Sequence, residues 1–500
     1  MNSAQSVERQ GQNLSGRRGP VFVTNRAPYE RSAEGRLRRG AGGVVTALLP
    51  LAQRLQADWV ACARTAVERK LAAARPDGTG TSYDGGHIRY ATPSEDEVRM
   101  HYSVISNPIL WYTQHYLWDL GHEPRFNADI RTAWRKGYVE VNRKLAQVAA
   151  EVVRSREVPP VVLSHDYQLY LFPRMLRELA PDAIIQHFTH IPWPTPQYWK
   201  VLPQEIRDEI VVGLLGADVL GFQSKLDVRN FLLTAQENLG LRVHHGSETV
   251  MSDGRAVRVR AYPISIDVEA TERLARSRAV ELEEERLNSW RPEHLIVRVD
   301  RTDPTKNIVR GFLAYEKLLV DHAELRGRVQ FWSFLQPSRQ ELPRYRSLLY
   351  SIKSTAGRIN SELGRNGWLP IRLEFGENIR RAAAAYKNFD VLLVNSVFDG
   401  MNLVAKEGML LNRRDGVLVL SENTGAHEEL GEFAIGINPF EIDANADALY
   451  SALTMPARER HARALGCREV IRRNDLTGWI DRQLKDLDAV SRAQPNRLAG

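Results

Sequence analysis

The sequence predicts a parallel α/β protein built as two doubly wound domains. Short β-rich segments alternate with longer helical stretches almost throughout. The alternation resets once, around Tyr262-Pro-Ile-Ser-Ile-Asp267, where one domain gives way to the next. A chain of 500 residues is too long for one compact core, and 43% hydrophobic with 26% charged residues can bury two.

Residues 1–18 are polar, lack the apolar region of a signal peptide and read as a disordered tail. Val21–Thr24 has the composition of a buried strand. A loop carrying Gly40, Gly42 and Gly43 follows, then a helix from Val44. Asp58–Cys62 predicts another strand, and apolar spacings of three and four predict a long helix over 128–156. Segments 161–164 and 183–188 suit central strands. Each runs into a polar or proline-containing turn, His165-Asp-Tyr in one case and His190-Ile-Pro-Trp-Pro in the other. Open parallel sheets bind ligands beyond the carboxyl ends of their strands, where such turns sit.

After the reset a charged helix runs to about Ser289. Strands are predicted at 294–300, 329–334, 371–375, 391–394 and 417–420, with helices over 306–320, between 338 and 363, and from Leu403. Three helices close the chain. The expected organisation is a tail at 1–18, an N-terminal domain at 19–264 and a C-terminal domain at 265–474. Residues 475–500 form a last helix, free to return to the first domain, and a tail. The two domains are expected to face one another across a cleft.

Lys plus Arg exceed Asp plus Glu by 68 to 61, a formal charge of +7, but the excess is spread along the chain. It lacks the dense clusters and interleaved aromatics of a nucleic-acid binder. No apolar run approaches the roughly 18 residues that span a bilayer, so a cytoplasmic protein without a membrane partner is expected. Cys62 and Cys467 show no metal-ligand spacing and read as two buried thiols rather than a disulfide. Walker loops, His-Glu-x-x-His and Gly-x-Ser-x-Gly are all absent from the sequence, which removes the usual signals of nucleotide hydrolysis, metal hydrolysis and acyl transfer.

Three constellations can carry chemistry. Arg301-Thr-Asp-Pro-Thr-Lys306 follows an apolar strand and opens a helix, so two cations and a helix N-terminus could hold a diphosphate. The plain structural alternative is a surface pair capping a helix. Asn395-Ser-Val-Phe-Asp-Gly-Met-Asn-Leu403 lies between an apolar strand and a helix. There Asp399 could accept from sugar hydroxyls, Gly400 admits close backbone approach, and the N–H groups from Gly400 through Met401 and Asn402 to Leu403 are free in a first helical turn. Glu407, one turn further, could accept from a ribose diol. The alternative is an ordinary Asp-Gly turn and a helix-start carboxylate. Tyr102 to Trp111 offers aromatic walls for a sugar ring, or a helix packed on a core. Arg339 would begin a helix, Arg26 follows the first strand, and His190 sits in a turn; each is either a ligand or a structural side chain.

Together these segments resemble the trehalose-6-phosphate synthase family of retaining glycosyltransferases, which have the GT-B fold. The likeness is carried by Val23-Thr-Asn-Arg26, Ala41-Gly-Gly43, Tyr102 to Trp111, His165-Asp-Tyr and His190-Ile-Pro-Trp-Pro-Thr-Pro. It continues through Arg301 to Lys306 and Asp399-Gly-Met-Asn-Leu-Val-Ala-Lys-Glu407. The resemblance implies donor-diphosphate contacts from Arg301 and Lys306, a glucosyl contact from Asp399 and the backbone after it, and a ribose contact from Glu407. His190 would lie beside the donor sugar, and Gly42 and Gly43 in a glycine loop near the donor phosphates. Arg26, Tyr102, Trp111, Asp166 and Arg339 would form the acceptor pocket.

The implied reaction moves glucose to glucose 6-phosphate by a same-face route, with cationic side chains in place of a metal and no cofactor. The segment Gly376-Glu-Asn-Ile-Arg380 departs from the family where it meets the base, which leaves UDP-, GDP- and ADP-glucose open as donors. Relatives that glucosylate glycerol 3-phosphate or couple aminocyclitols keep the acceptor open, and a catalytically silent sugar-phosphate-binding homologue is the alternative of another class. A homo-oligomer is also open.

Overall fold

The computed structural model describes residues 19–31, 37–39, 43–74, 80–83 and 86–493. The predicted tail and Gly42 lie outside the described residues. The chain divides into two compact units, Met1–Tyr262 with Trp479–Gly500, and Pro263–Gly478. Each is a parallel α/β unit, the class the sequence predicts.

The first unit holds a ten-stranded sheet. Its order is Val243–His244, Thr249–Ser252, Arg255–Ala261, Val219–Phe222, Ile184–Phe188, Val161–His165, Val21–Thr24, Asp58–Cys62, Gly86–Ala91 and Thr81–Tyr83. The run from Arg255–Ala261 to Gly86–Ala91 is parallel, and antiparallel pairs close both edges. Val21, Phe22 and Val23 are fully buried, as expected for a strand covered on both faces. The edge strands escape the sequence reading because they are short and polar. One of their turns is nonetheless encoded locally, since Asp253 and Gly254 take φ of 49° and 72° and close a tight hairpin.

The second unit holds a six-stranded, wholly parallel sheet in the order Ile371–Phe375, Val329–Gln336, His294–Arg301, Val391–Val394, Val417–Ser421, Ile435–Ile437. Ile308, Phe312, Tyr315 and Leu319 recur at helical spacing on Ile308–Asp321 and join Ile296 and Phe331 in the core. Phe312 meets Phe331 edge-on at 5.5 Å. Each such side chain contributes about 1.5–3 kcal/mol of burial before chain entropy is counted.

Both sheets reverse their strand order once. In the first unit the reversal lies between Val21–Thr24 and Val161–His165, in the second between His294–Arg301 and Val391–Val394. Crevices at the carboxyl ends of such strand pairs are where open α/β sheets take ligands. Cys62 and Cys467 are free and buried, and burial pushes both thiols up to about 12. Among the described residues, no helix is long and apolar enough to cross a membrane.

Candidate active site

Two loops leave the second unit's reversal point, and they are the two singled out in the sequence. Arg301 ends its strand, and Val391–Val394 runs into Asn395 to Asn402. The loops are stitched together: Val397 N donates to Thr305 O (2.8 Å), and Asn307 Nδ2 donates to Asn395 O (3.0 Å). Arg298 lies fully buried beneath them. Its guanidinium pairs with Asp300 at 2.9 Å and donates to Lys306 O (2.7 Å) and Asn395 Oδ1 (3.0 Å). Such a charge is tolerated in a core only because it is paired and hydrogen-bonded. In the sequence it reads as one more polar strand residue.

The structure brings Lys306 and Asp399 together as an ion pair. Asp399 Oδ2 also accepts from Ser396 Oγ (3.2 Å) and Asn402 Nδ2 (3.1 Å). Among the described residues, the N–H groups of Gly400, Met401, Asn402 and Leu403 meet no protein acceptor. Four donors and a lysine beside one carboxylate suit a ligand with both hydroxyls and phosphate. Gly425 was missed from the sequence, yet a Cβ there would stand 1.9 Å from Gly400 O. Glu407, half-buried on helix Leu403–Leu411, accepts from Tyr386 OH at 3.4 Å, and burial raises its carboxyl to about 7.

Three local expectations need correction. Lys306 does not open the long helix; Pro304–Lys306 is a single 3-10 turn, and left-handed Asn307 (φ 55°) separates it from Ile308–Asp321. Asp303 caps that turn through its side chain, holding it apart from the helix. Arg339 does not begin a helix either: it sits at φ 48° in a loop, and the helix starts at Pro343, where proline suits the first turn. Gly400, Met401 and Asn402 precede their helix rather than forming its first turn, because Asn402 is left-handed (φ 71°) and the helix begins at Leu403.

In the first unit the reversal point presents Arg26 and Asp166. Arg26 Nη2 donates to Tyr102 OH (3.3 Å), and the Arg64 guanidinium lies 4.5 Å from the Tyr102 ring centre. Asp166 stands at φ 78°, ψ 167°, a region nearly confined to glycine, and its Oδ1 accepts from His190 N at 3.3 Å. His190 Nε2 lies 3.2 Å from Nδ1 of His165, which ends its strand instead of opening the turn. Desolvation pushes His190 and His187 down to about 3 and His165 well below its ordinary value, so all three are neutral at pH 7.

Trp111 is buried and packs on His115 (4.1 Å) and Tyr167 (5.6 Å). Tyr102 lies in the π-helical stretch Met100–Leu110, which is kinked by a non-helical Asn107 within it. Gly43 is the first residue of helix Gly43–Arg54. Of the five residues expected around the acceptor, Arg26, Tyr102, Trp111 and Asp166 belong to the first unit and Arg339 to the second.

Two parallel α/β units, each with charged and polar side chains at its reversal point, are shared with solved trehalose-phosphate synthases of the GT-B fold, and a GT-B glycosyltransferase is the class this likeness defines. Within that class the chain belongs to glycosyltransferase family 20, whose profile matches residues 16–489. It is 33% identical over 514 residues to trehalose-6-phosphate synthase of Mycolicibacterium smegmatis, covering 99% of this chain and 97% of the relative. It is 30% identical over 455 residues to validamine 7-phosphate valienyltransferase of Streptomyces hygroscopicus subsp. jinggangensis, covering 90% and 89%. The structure is similar to the UDP-forming α,α-trehalose-phosphate synthase of Burkholderia xenovorans in complex with glucose-6-phosphate. The TM-score is 0.80 at 29% identity, covering 94% of this chain and 99% of that one. The protein is therefore a glycosyltransferase of the trehalose-6-phosphate synthase type.

Proposed function

We propose that the enzyme transfers glucose from a nucleoside diphosphate glucose to glucose 6-phosphate, forming trehalose 6-phosphate with retention at the anomeric carbon. The observation that carries this reading is the second unit's loop pair, where Lys306 meets Asp399 beside four N–H groups without protein acceptors among the described residues. Arg301 and Lys306 would hold the donor diphosphate and stabilise charge on it as the glycosidic bond breaks. Asp399 would accept from glucosyl hydroxyls and Glu407 from the ribose. The acceptor hydroxyl attacks on the face the diphosphate leaves, and the departing phosphate oxygen takes its proton. His190, neutral, would stand beside the donor sugar. Arg26, Tyr102, Trp111, Asp166 and Arg339 would bind the phosphorylated acceptor.

Likeness to the valienyltransferase favours a second reading, in which the acceptor is an aminocyclitol phosphate. Initial rates with UDP-, GDP- and ADP-glucose, each offered glucose 6-phosphate, glycerol 3-phosphate or validamine 7-phosphate, separate the two. Turnover with glucose 6-phosphate and one donor is expected. Transfer only to validamine 7-phosphate would favour the second reading. Donor binding without turnover on any acceptor would sink both.

A further inference from the structure

The loop that carries Lys306 and the loop that carries Arg339 share one buried anchor. Asp303 is fully buried, and its Oδ1 accepts from Thr305 N and Thr305 Oγ1, each at 3.1 Å. Its Oδ2 accepts from Tyr345 OH at 3.1 Å. The same hydroxyl, on an equally buried ring, accepts from Arg339 Nη1 at 2.6 Å, while that nitrogen lies 3.4 Å from Asp303 Oδ2. A guanidinium only donates and a carboxylate only accepts. The hydroxyl must therefore receive from Arg339 and give to Asp303, and it has no other orientation that satisfies both neighbours. Ser338 N, donating to Thr302 Oγ1 at 3.2 Å, pins the left-handed Arg339 backbone to the same turn.

We propose that Tyr345 is a positioning residue for recognition of the acceptor's phosphate: braced on Asp303, its hydroxyl fixes the Arg339 guanidinium at a set distance from the diphosphate loop. The proposal rests on the reading of Arg339 as an acceptor contact. An unbraced arginine loses rotamer freedom when it grips a phosphate. Here that ordering is already done before the ligand arrives. One carboxylate thereby sets the spacing between the groups assigned to the donor phosphates, next to Thr305, and the group assigned to the acceptor phosphate.

The test is a cycle of four full-length proteins: parent, Arg339→Ala, Tyr345→Phe and the double variant. KM is measured for glucose 6-phosphate and for the nucleotide sugar, with melting temperatures alongside. Tyr345→Phe keeps the buried ring and removes one oxygen. It should raise the glucose 6-phosphate KM about tenfold, the size of one lost hydrogen bond to a charged group. The donor KM should stay within about twofold, and the double variant should be no worse than Arg339→Ala, because Tyr345 acts through Arg339. Should Tyr345→Phe fail to fold, Asp303→Asn is measured for the same KM split.

A merely structural role would move both KM values together, or add its penalty in full to Arg339→Ala; either result overturns the proposal. If Arg339→Ala raises the acceptor KM and Tyr345→Phe leaves it unchanged, the brace fails while the acceptor reading stands. If Arg339→Ala leaves the acceptor KM unchanged, the acceptor reading fails and the brace with it.

Discussion

Replacing Glu407 by Gln separates the stability of the site from its function. The carboxyl accepts from Tyr386 OH at 3.4 Å, and burial raises it from 4.5 to about 7. Below pH 4.5 the group is protonated whether the chain is folded or not, and it contributes nothing to pH dependence. Between 4.5 and about 7 the unfolded chain releases a proton that the folded one keeps, so stability falls as pH rises; above about 7 the loss is complete. At 1.36 kcal/mol for each tenfold change in proton affinity the full loss is about 3 kcal/mol, an upper bound because the side chain keeps some solvent contact. Glutamine has the same shape and does not ionise. Glu407→Gln should therefore be more stable than the parent by about 1 kcal/mol at pH 5.5 and up to about 3 kcal/mol at pH 8. It should bind nucleotide sugar more weakly, because an amide donor replaces one of the two carboxylate oxygens proposed to accept from the ribose diol. Urea unfolding, followed by hydrogen exchange of the second unit's strand amides, reads the first effect; calorimetric titration with nucleotide sugar reads the second. A gap that does not widen between pH 5.5 and 8 would refute the buried-carboxylate argument, and unchanged donor affinity would remove Glu407 from the site.

Other perturbations test the remaining parts. Arg301→Ala should slow transfer about 100-fold or more while leaving the melting temperature nearly unchanged, since its proposed role is electrostatic; steady-state rates and thermal melts check this together. Lys306→Met should abolish transfer and cost about 1–3 kcal/mol of stability, because Asp399 loses its cationic partner. Adding Asp399→Asn should recover stability but not transfer. His165, His187 and His190 should show no imidazole titration between pH 5 and 8 by NMR, since their desolvation favours the neutral ring.

What could be read from the sequence was what burial writes into composition. Val21–Thr24, Asp58–Cys62, Ile371–Phe375 and Val391–Val394 lie where the apolar runs predict them, and the candidate residues Arg26, Asp166, His190, Lys306 and Asp399 lie in the loops after five of the parallel strands. Contacts between distant residues were not legible. Arg298 and Asn395 meet although 97 positions separate them, and nothing local distinguishes Arg298 from a solvent-facing strand residue. Asp303 and Tyr345 are 42 positions apart, and Tyr386 reaches Glu407 across 21. Helix starts were misplaced where a non-glycine residue takes the left-handed conformation, at Asn307 and Arg339, because that choice is imposed by tertiary contacts such as Asn307 Nδ2 to Pro439 O at 2.8 Å.

The central claim is that the second unit's loops deliver a glucosyl group to a phosphorylated sugar with retention. The most direct test is to isolate the product formed from nucleoside diphosphate glucose and glucose 6-phosphate and to determine its mass and anomeric linkage by mass spectrometry and NMR. A phosphorylated disaccharide joined α,α-1,1 is predicted. An inverted linkage, free glucose alone, or no new glycosidic bond would contradict the account.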